Sequence, residues 1–124
     1  MKTIITPNMP KGNGHYSTVI EHNKMLYLSG QLPYKRGTKN MPEGIEAQTR
    51  MVLENIEFIL NEAGSSKTQI LQMRLYIPNI SLWDKVNEVY ADFFVDHKPA
   101  RTVIPTRELH FGALVEIECV AFVD

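Results

Sequence analysis

The sequence is poor in cysteine and has no long apolar run. Its 124 residues contain a single cysteine, Cys119, which excludes an internal disulfide and is typical of proteins from a reducing compartment. No apolar stretch approaches the ~18 residues that a membrane-spanning helix requires. The first residues also lack the apolar core of a signal peptide. From these absences we expect a cytoplasmic protein with no membrane partner.

The chain also lacks an excess of positive charge. Lys and Arg number 13 against 14 Asp and Glu, so the formal net charge is −1, whereas proteins that coat nucleic acid usually carry a basic footprint. No glycine-rich phosphate-binding loop is present. The histidines do not have the spacing of metal ligands; they are His15, His22, His97 and His110. We therefore expect no nucleic-acid partner, no metal and no cofactor.

What is present is the composition of one folded domain, which we take to span residues 1–124. Hydrophobic residues make up 44% of the chain and charged residues 22%, which is usual for a folded protein. A domain of this size buries only about two-thirds of its unfolded surface, so association with further copies would add useful burial.

Hydrophobic periodicity predicts an α+β fold. Apolar residues recur at spacings of three and four from about Glu43 to Ala63, and again up to about Val95 behind a predicted N-cap at Ser81, so both segments are predicted helices. Strands are predicted at Tyr16–Glu21, Lys24–Leu28, Ile70–Ile77, Arg101–Pro105 and Leu114–Val123. The first two are joined by a turn at His22-Asn23. In the third, the predicted apolar face contains Leu71, Met73, Leu75 and Ile77.

The predicted order is strand, strand, strand, helix, strand, helix, strand, strand. Two helices cover one face of such a sheet, and no further element remains for the other face. On the last strand that other face carries Leu114, Glu116, Glu118, Val120 and Phe122. A mixture of apolar and polar side chains is typical of a subunit interface, so the pattern predicts a homo-oligomer.

Three residue types are candidates for chemistry. Arg101 begins a predicted strand, where its guanidinium can bind a carboxylate through two parallel hydrogen bonds, although a surface arginine is the simpler interpretation. Glu116 and Glu118 share a strand face at roughly 6.6 Å. That separation resembles the carboxylate pair of an inverting glycosidase, but pairing with Arg or Lys across the sheet remains open. Cys119 alternates with apolar residues, which predicts a packing role. These residues alone do not identify a reaction.

Six short motifs occur in an order that identifies a family. They are Gly14-His15-Tyr16-Ser17, Leu28-Ser29-Gly30-Gln31-Leu32-Pro33, Gln48-Thr49 with Val52-Leu53-Glu54-Asn55-Ile56, Asn87-Glu88-Val89-Tyr90, Pro99-Ala100-Arg101-Thr102 and Val115-Glu116-Ile117-Glu118. Together they closely resemble the RidA/YjgF family of reactive intermediate deaminases, also labelled endoribonuclease L-PSP or translation initiation inhibitor. The resemblance covers almost the whole chain, from near residue 3 to residue 122.

The resemblance implies a chorismate-mutase-like α+β fold, with about six strands in a mixed sheet and two helices on one face. It also implies a homotrimer with clefts between subunits. The implied activity is cofactor-independent hydrolysis of enamines and imines, such as 2-aminoacrylate, 2-iminopropanoate and 2-iminobutanoate, to 2-oxo acids and ammonia. Two alternatives remain: a non-catalytic trimer that binds small carboxylates, and an endoribonuclease or translation inhibitor, which the near-neutral charge disfavours.

The resemblance also implies roles for individual residues. Arg101 matches the arginine that binds the substrate carboxylate, and Glu116 matches the glutamate that positions the attacking water. The substrate-binding cleft corresponds to Tyr16, Ser29, Gly30, Asn87 and Val103, of which Val103 replaces a cysteine found in some members. His15 and His110 depart from the family, which commonly has proline at both positions. We expect both imidazoles to lie close to the cleft.

Overall fold

The alternating segments of the chain form the strands of one mixed sheet, and the periodic segments form two helices on one of its faces. The computed structural model describes residues 1–124. The strands are β1 (Lys2–Thr3), β2 (Val19–His22), β3 (Met25–Gln31), β4 (Ile70–Ile77), β5 (Ala100–Pro105) and β6 (Glu116–Phe122); the helices are α1 (Ile45–Glu62) and α2 (Trp83–Phe94).

The strand order across the sheet is β1-β2-β3-β6-β4-β5. Strands β4 and β5 run parallel, and every other neighbouring pair is antiparallel. Three short 3₁₀ helices occur at Lys67–Gln69, Ile80–Leu82 and His110–Gly112. The predicted α+β class, element order and six-stranded mixed sheet are therefore confirmed. Strand β5 lies at one edge of the sheet.

The core lies between the helices and one face of the sheet. Val52, Ile56 and Leu60 of α1 are fully buried, as are Leu75 of β4 and Ile117 of β6. Burying a side chain of this size contributes about 1.5–3 kcal/mol, so the predicted apolar stripe is what holds α1 on the sheet. Neither helix combines the length and the apolar character needed to cross a membrane.

The first hairpin turns one residue later than predicted. His22 pairs with Met25, which leaves Asn23 and Lys24 as a two-residue turn with φ of 52° and 64°. These are the left-handed angles of a type I′ turn, whose twist matches that of the flanking strands. The prediction of a turn at His22-Asn23 is wrong, because His22 remains in the ladder. The strand also begins at Val19, so Tyr16 lies outside it.

A β-bulge in β4 moves Leu71 off the buried face. Ile70 pairs with Ala121 whereas Gln72 pairs with Val120, so Leu71 is an extra residue without a partner of its own. Ile70 is consequently buried, and Leu71 is 44% exposed. The prediction that Leu71 shares the apolar face of Met73, Leu75 and Ile77 is wrong for this reason.

Helix α2 begins later than predicted. The 3₁₀ turn Ile80–Leu82 precedes it, and the side chain of Asn79 accepts a hydrogen bond of 2.8 Å from the backbone N–H of Ser81. Asn79 therefore caps this turn, and the predicted N-cap at Ser81 is wrong. The predicted apolar stripe is present, with Val86, Tyr90, Phe93 and Phe94 buried.

The second face of the sheet, which we call the uncovered face, has no helix packed on it. Tyr27 of β3 is 48% exposed there. Glu116, Glu118, Val120 and Phe122 of β6 are all only half-buried. The predicted mixture of apolar and polar side chains on this face is thus present, and its coverage by further copies of the chain stays a prediction.

Candidate functional site

Arg101 is held by α2 at the edge of the sheet. It pairs with Met73 in the parallel β4–β5 ladder, and its side chain lies on the helix-covered face. Its Nη1 donates a hydrogen bond of 2.8 Å to Oδ1 of Asn87. The ion pairs of the chain are Lys2–Glu21 and Arg50–Asp92, so Arg101 has no carboxylate partner. A half-buried guanidinium with unused donors is suited to bind a carboxylate from a ligand.

Glu116 belongs to a second group of residues, on the uncovered face. It lines a surface pocket of about 500 Å³ together with Gly30, Tyr76, Thr106, Arg107, Glu108, Leu109 and Glu118. The hydroxyl of Tyr76 donates a short hydrogen bond to the Glu118 carboxylate. This bond raises the pKa of Tyr76, because it stabilises the neutral phenol. Glu118 is thus engaged by its sheet neighbour, whereas Glu116 has no side-chain hydrogen-bond partner in the chain.

The environment of Glu116 disfavours its charged form. Burial raises the pKa of the Glu116 carboxyl, the nearby His110 opposes that increase, and the negative charge of Glu118 adds to it. A carboxyl group whose pKa is moved towards neutrality can accept and return a proton more readily than an ordinary surface glutamate. His110 itself is exposed and lies in the turn before β6.

A second β-bulge brings Gly30 against Glu116. Leu28 pairs with Cys119 and Gln31 pairs with Ile117, so β3 has one more residue than β6 between these pairs. A Cβ at Gly30 would lie 2.4 Å from Oε2 of Glu116. Only glycine permits this approach of backbone to carboxyl group. Ser29 is positioned beside it, because its Oγ donates to the carbonyl of Ser17 at 2.6 Å.

The structure does not bring all predicted site residues together in one chain. Asn87 contacts Arg101, and Val103 lies two residues along β5, opposite Leu75 and packed against the core. Gly30 lies against Glu116, and Ser29 precedes Gly30 in β3. Tyr16 is 55% exposed, and its ring packs against Gly12 and Gly14 without a side-chain hydrogen bond to either group.

Arg101 and Glu116 face opposite sides of the sheet. Arg101 is in register with the buried Met73, whereas Glu116 lies between the buried residues Val115 and Ile117. Neighbouring residues of a strand point to opposite faces, so Glu116 points away from the helices. The two groups therefore do not face a common cleft within one chain.

Cys119 lies in the core, whereas His15 and His110 are exposed. Cys119 is 3% exposed, which confirms its predicted packing role, and burial raises the pKa of its thiol to about 12. No cluster of three His, Cys, Asp or Glu side chains is arranged to hold a metal ion. His15 is exposed in the N-terminal segment.

Sequence reasoning missed two aromatic residues beside Arg101. The guanidinium carbon lies 4.7 Å from the ring centre of Tyr90 and 5.5 Å from that of Trp83. The sequence did contain a signal for this grouping with Asn87, because positions 83, 87 and 90 share one face of a helix. Tyr76 was also missed, since its contact with Glu118 depends on the register between β4 and β6.

Comparisons with known proteins identify the family and the fold. A family model described as endoribonuclease L-PSP matches residues 6–123. A RutC family protein from Pyrococcus horikoshii is 38% identical, over 98% of this chain and 97% of its own. Among solved structures, YyfA from Yersinia pestis, a Rid family protein of unknown function, has 43% identity and a TM-score of 0.91 over 98% of both chains. E. coli TdcF with bound serine has 31% identity and a TM-score of 0.92 over 100% of both chains.

Proposed function

The chain belongs to the RidA/YjgF family, whose model is described as endoribonuclease L-PSP, and we propose that it hydrolyses small 2-imino acids and their enamine tautomers. The substrates would be 2-aminoacrylate with its imine 2-iminopropanoate, and 2-iminobutanoate; the products are 2-oxo acids and ammonia. The observation that carries this proposal is Arg101, a half-buried guanidinium that Asn87 holds through one nitrogen and that no carboxylate of the chain neutralises.

A guanidinium in this state is a good receptor for a small carboxylic acid. Its planar fork offers two parallel donors to a carboxylate, and it stays charged at any physiological pH. Serine bound to E. coli TdcF is an amino acid with such a carboxylate. This relative supports a carboxylate-bearing ligand of similar size for the present chain.

The complete site requires a second copy of the chain. Arg101 and Glu116 lie on opposite faces of the sheet, and the uncovered face has half-buried apolar residues such as Val120 and Phe122. Packing this face against another copy would bury apolar surface. It would also bring the β5 edge of one chain, which carries Arg101, to the pocket of another chain that contains Glu116. We propose a homotrimer with three such clefts.

The proposed reaction needs few groups. The enamine first takes up a proton at carbon and releases one from nitrogen, which gives the imine. Arg101 binds the carboxylate and orients the imine carbon towards a water molecule beside Glu116. The water oxygen bonds to the carbon while the imine nitrogen gains a proton, which gives a carbinolamine. Loss of ammonia from that intermediate, with a proton moved from hydroxyl to nitrogen, forms the 2-oxo acid. Orientation of the imine carbon towards the water supplies the acceleration, and the positive charge binds the carboxylate equally in the substrate and in the transition state.

The decisive experiment compares Arg101 variants with a matched surface arginine. A serine dehydratase generates 2-aminoacrylate in situ, and pyruvate release is measured against the uncatalysed rate. Each charge-assisted hydrogen bond contributes about 1.5 kcal/mol or more, so losing two in R101A should lower kcat/KM by about a hundredfold. R101K should be impaired to an intermediate degree, because it retains charge without the fork.

The control is R50A, which removes the exposed ion pair between Arg50 of α1 and Asp92 of α2 and should leave turnover unchanged. Full activity in R101A would refute the assignment of Arg101. Tight pyruvate binding by the wild-type protein without imine turnover would favour the non-catalytic carboxylate-binding protein. A monomer at micromolar concentration in light scattering would contradict the shared site.

A further inference from the structure

Three side chains of α2 surround the Arg101 guanidinium. Trp83, Asn87 and Tyr90 are separated by four and three positions, so they lie on one face of the helix. Asn87 accepts the hydrogen bond from Nη1. Tyr90 and Trp83 present their rings at 4.7 Å and 5.5 Å from the guanidinium carbon, both within the ~6 Å over which a cation is attracted to an aromatic face.

The two rings differ in burial. Tyr90 is 7% exposed, and its hydroxyl is buried without a hydrogen-bond partner. Burial raises the pKa of Tyr90 to about 12, so the ring beside Arg101 is neutral under physiological conditions. Trp83 is 36% exposed at the first turn of α2. It is therefore the residue of this group that can be changed without opening the core.

We propose that Trp83 is a positioning residue that, together with Tyr90, holds the Arg101 guanidinium in one orientation for carboxylate binding. Rings that contact the guanidinium leave its unpaired N–H groups free, and those groups form the fork that a carboxylate requires. An arginine that is held before the ligand arrives loses less conformational entropy on binding. This inference rests on the proposed function for the identity of the ligand, a small 2-oxo or 2-imino acid.

The first test needs no ligand. In protein labelled with ¹⁵N-arginine, NMR relaxation measures the order parameter of the Arg101 Nε–H bond. We expect a high value in the wild-type protein and in W83F, which keeps an aromatic ring, and a clear decrease in W83L. The control K85A changes an exposed residue of the same helix and should leave the value unchanged. An Arg101 side chain that remains equally ordered in W83L would overturn the proposal.

The second test measures binding of pyruvate, the product expected from 2-aminoacrylate. Trp83 is the sole tryptophan, so pyruvate binding at Arg101 should alter the protein's tryptophan emission, and R101A should abolish that change. Calorimetry should show pyruvate binding weakened about fivefold in W83L and less than twofold in W83F, the size of one partly exposed cation–π contact. In turnover, W83L should raise KM with little change in kcat, because the contact with the carboxylate is equally strong before and in the transition state.

The two tests separate this inference from the proposed function. Reduced Arg101 order in W83L together with pyruvate binding but no imine turnover would support the role of Trp83 and refute the deaminase. Imine turnover that depends on Arg101 but is the same in W83L and W83F would support the deaminase and overturn the role of Trp83. Melting temperatures of W83L and W83F within a few degrees of each other exclude general loss of structure as the cause.

Discussion

Adding one methyl group at Gly30 should disable the site without unfolding the protein. A Cβ at this position lies 2.4 Å from Oε2 and 3.2 Å from Cδ of Glu116. Ordinary contacts of a Cβ begin at about 3.4 Å, so the carboxyl oxygen must retreat by about 1 Å in G30A. It can do so, because it is the end of a flexible side chain that lines a pocket of about 500 Å³.

The expected losses of activity and of stability differ greatly. A displacement of about 1 Å in a group that orients a reactant can lower the rate by about a hundredfold. Gly30 does not have a positive φ, so alanine can adopt its backbone conformation. Replacing glycine by alanine at such a site lowers the conformational entropy of the unfolded chain. This changes the free energy of unfolding by only about 0.4–1 kcal/mol. We therefore expect near-native melting and a large loss of imine turnover.

The assay is kcat/KM for 2-aminoacrylate hydrolysis, measured in single and double variants. In an E116Q background, the G30A substitution should cause no further loss, because the carboxylate that it displaces is already absent. Full activity in G30A would refute the reasoning. A further loss in the E116Q background would show instead that the methyl group obstructs the ligand.

The environments of Glu116, Cys119 and Val120 lead to three further predictions. Because burial raises the pKa of Glu116, the folded chain binds that proton more tightly than the unfolded chain, and stability falls as pH rises above the ordinary value of 4.5. E116Q should therefore raise the melting temperature more at pH 7 than at about pH 4; equal shifts would contradict this. Cys119, with a pKa raised to about 12, should react with a disulfide reagent far more slowly in native protein than in guanidinium chloride, and similar rates would show that it is accessible. V120K places a charge on the uncovered face and should give folded monomers in light scattering, whereas an unchanged oligomer would exclude Val120 from the interface.

Local pattern was sufficient for the elements and most of the core. The spacing of Val52, Ile56 and Leu60 predicted α1, because an amphipathic helix repeats its buried face every three to four residues. The pattern failed at Leu71, where a β-bulge shifts the alternation by one. A bulge is a property of two paired strands, and the sequence of β4 alone does not contain the register of β6.

At the candidate site, too, some features could be predicted from the sequence and others depended on packing. The motifs around Arg101 and Glu116 were recognisable in the sequence, and so was the suitability of a guanidinium for a carboxylate. The structure added Trp83 and Tyr90 beside Arg101 and placed Gly30 against Glu116. These contacts join residues that are distant in sequence, so they depend on how α2 and β3 pack and not on local composition.

The kinds of element, their buried apolar stripes and the family to which the chain belongs could all be inferred from the residues alone. The position of Arg101 and Glu116 on opposite faces of one sheet could not, because it depends on the register that hydrogen bonding sets between strands as well as on the alternation of side chains along each strand. That arrangement is why the proposed site needs a second copy of the chain.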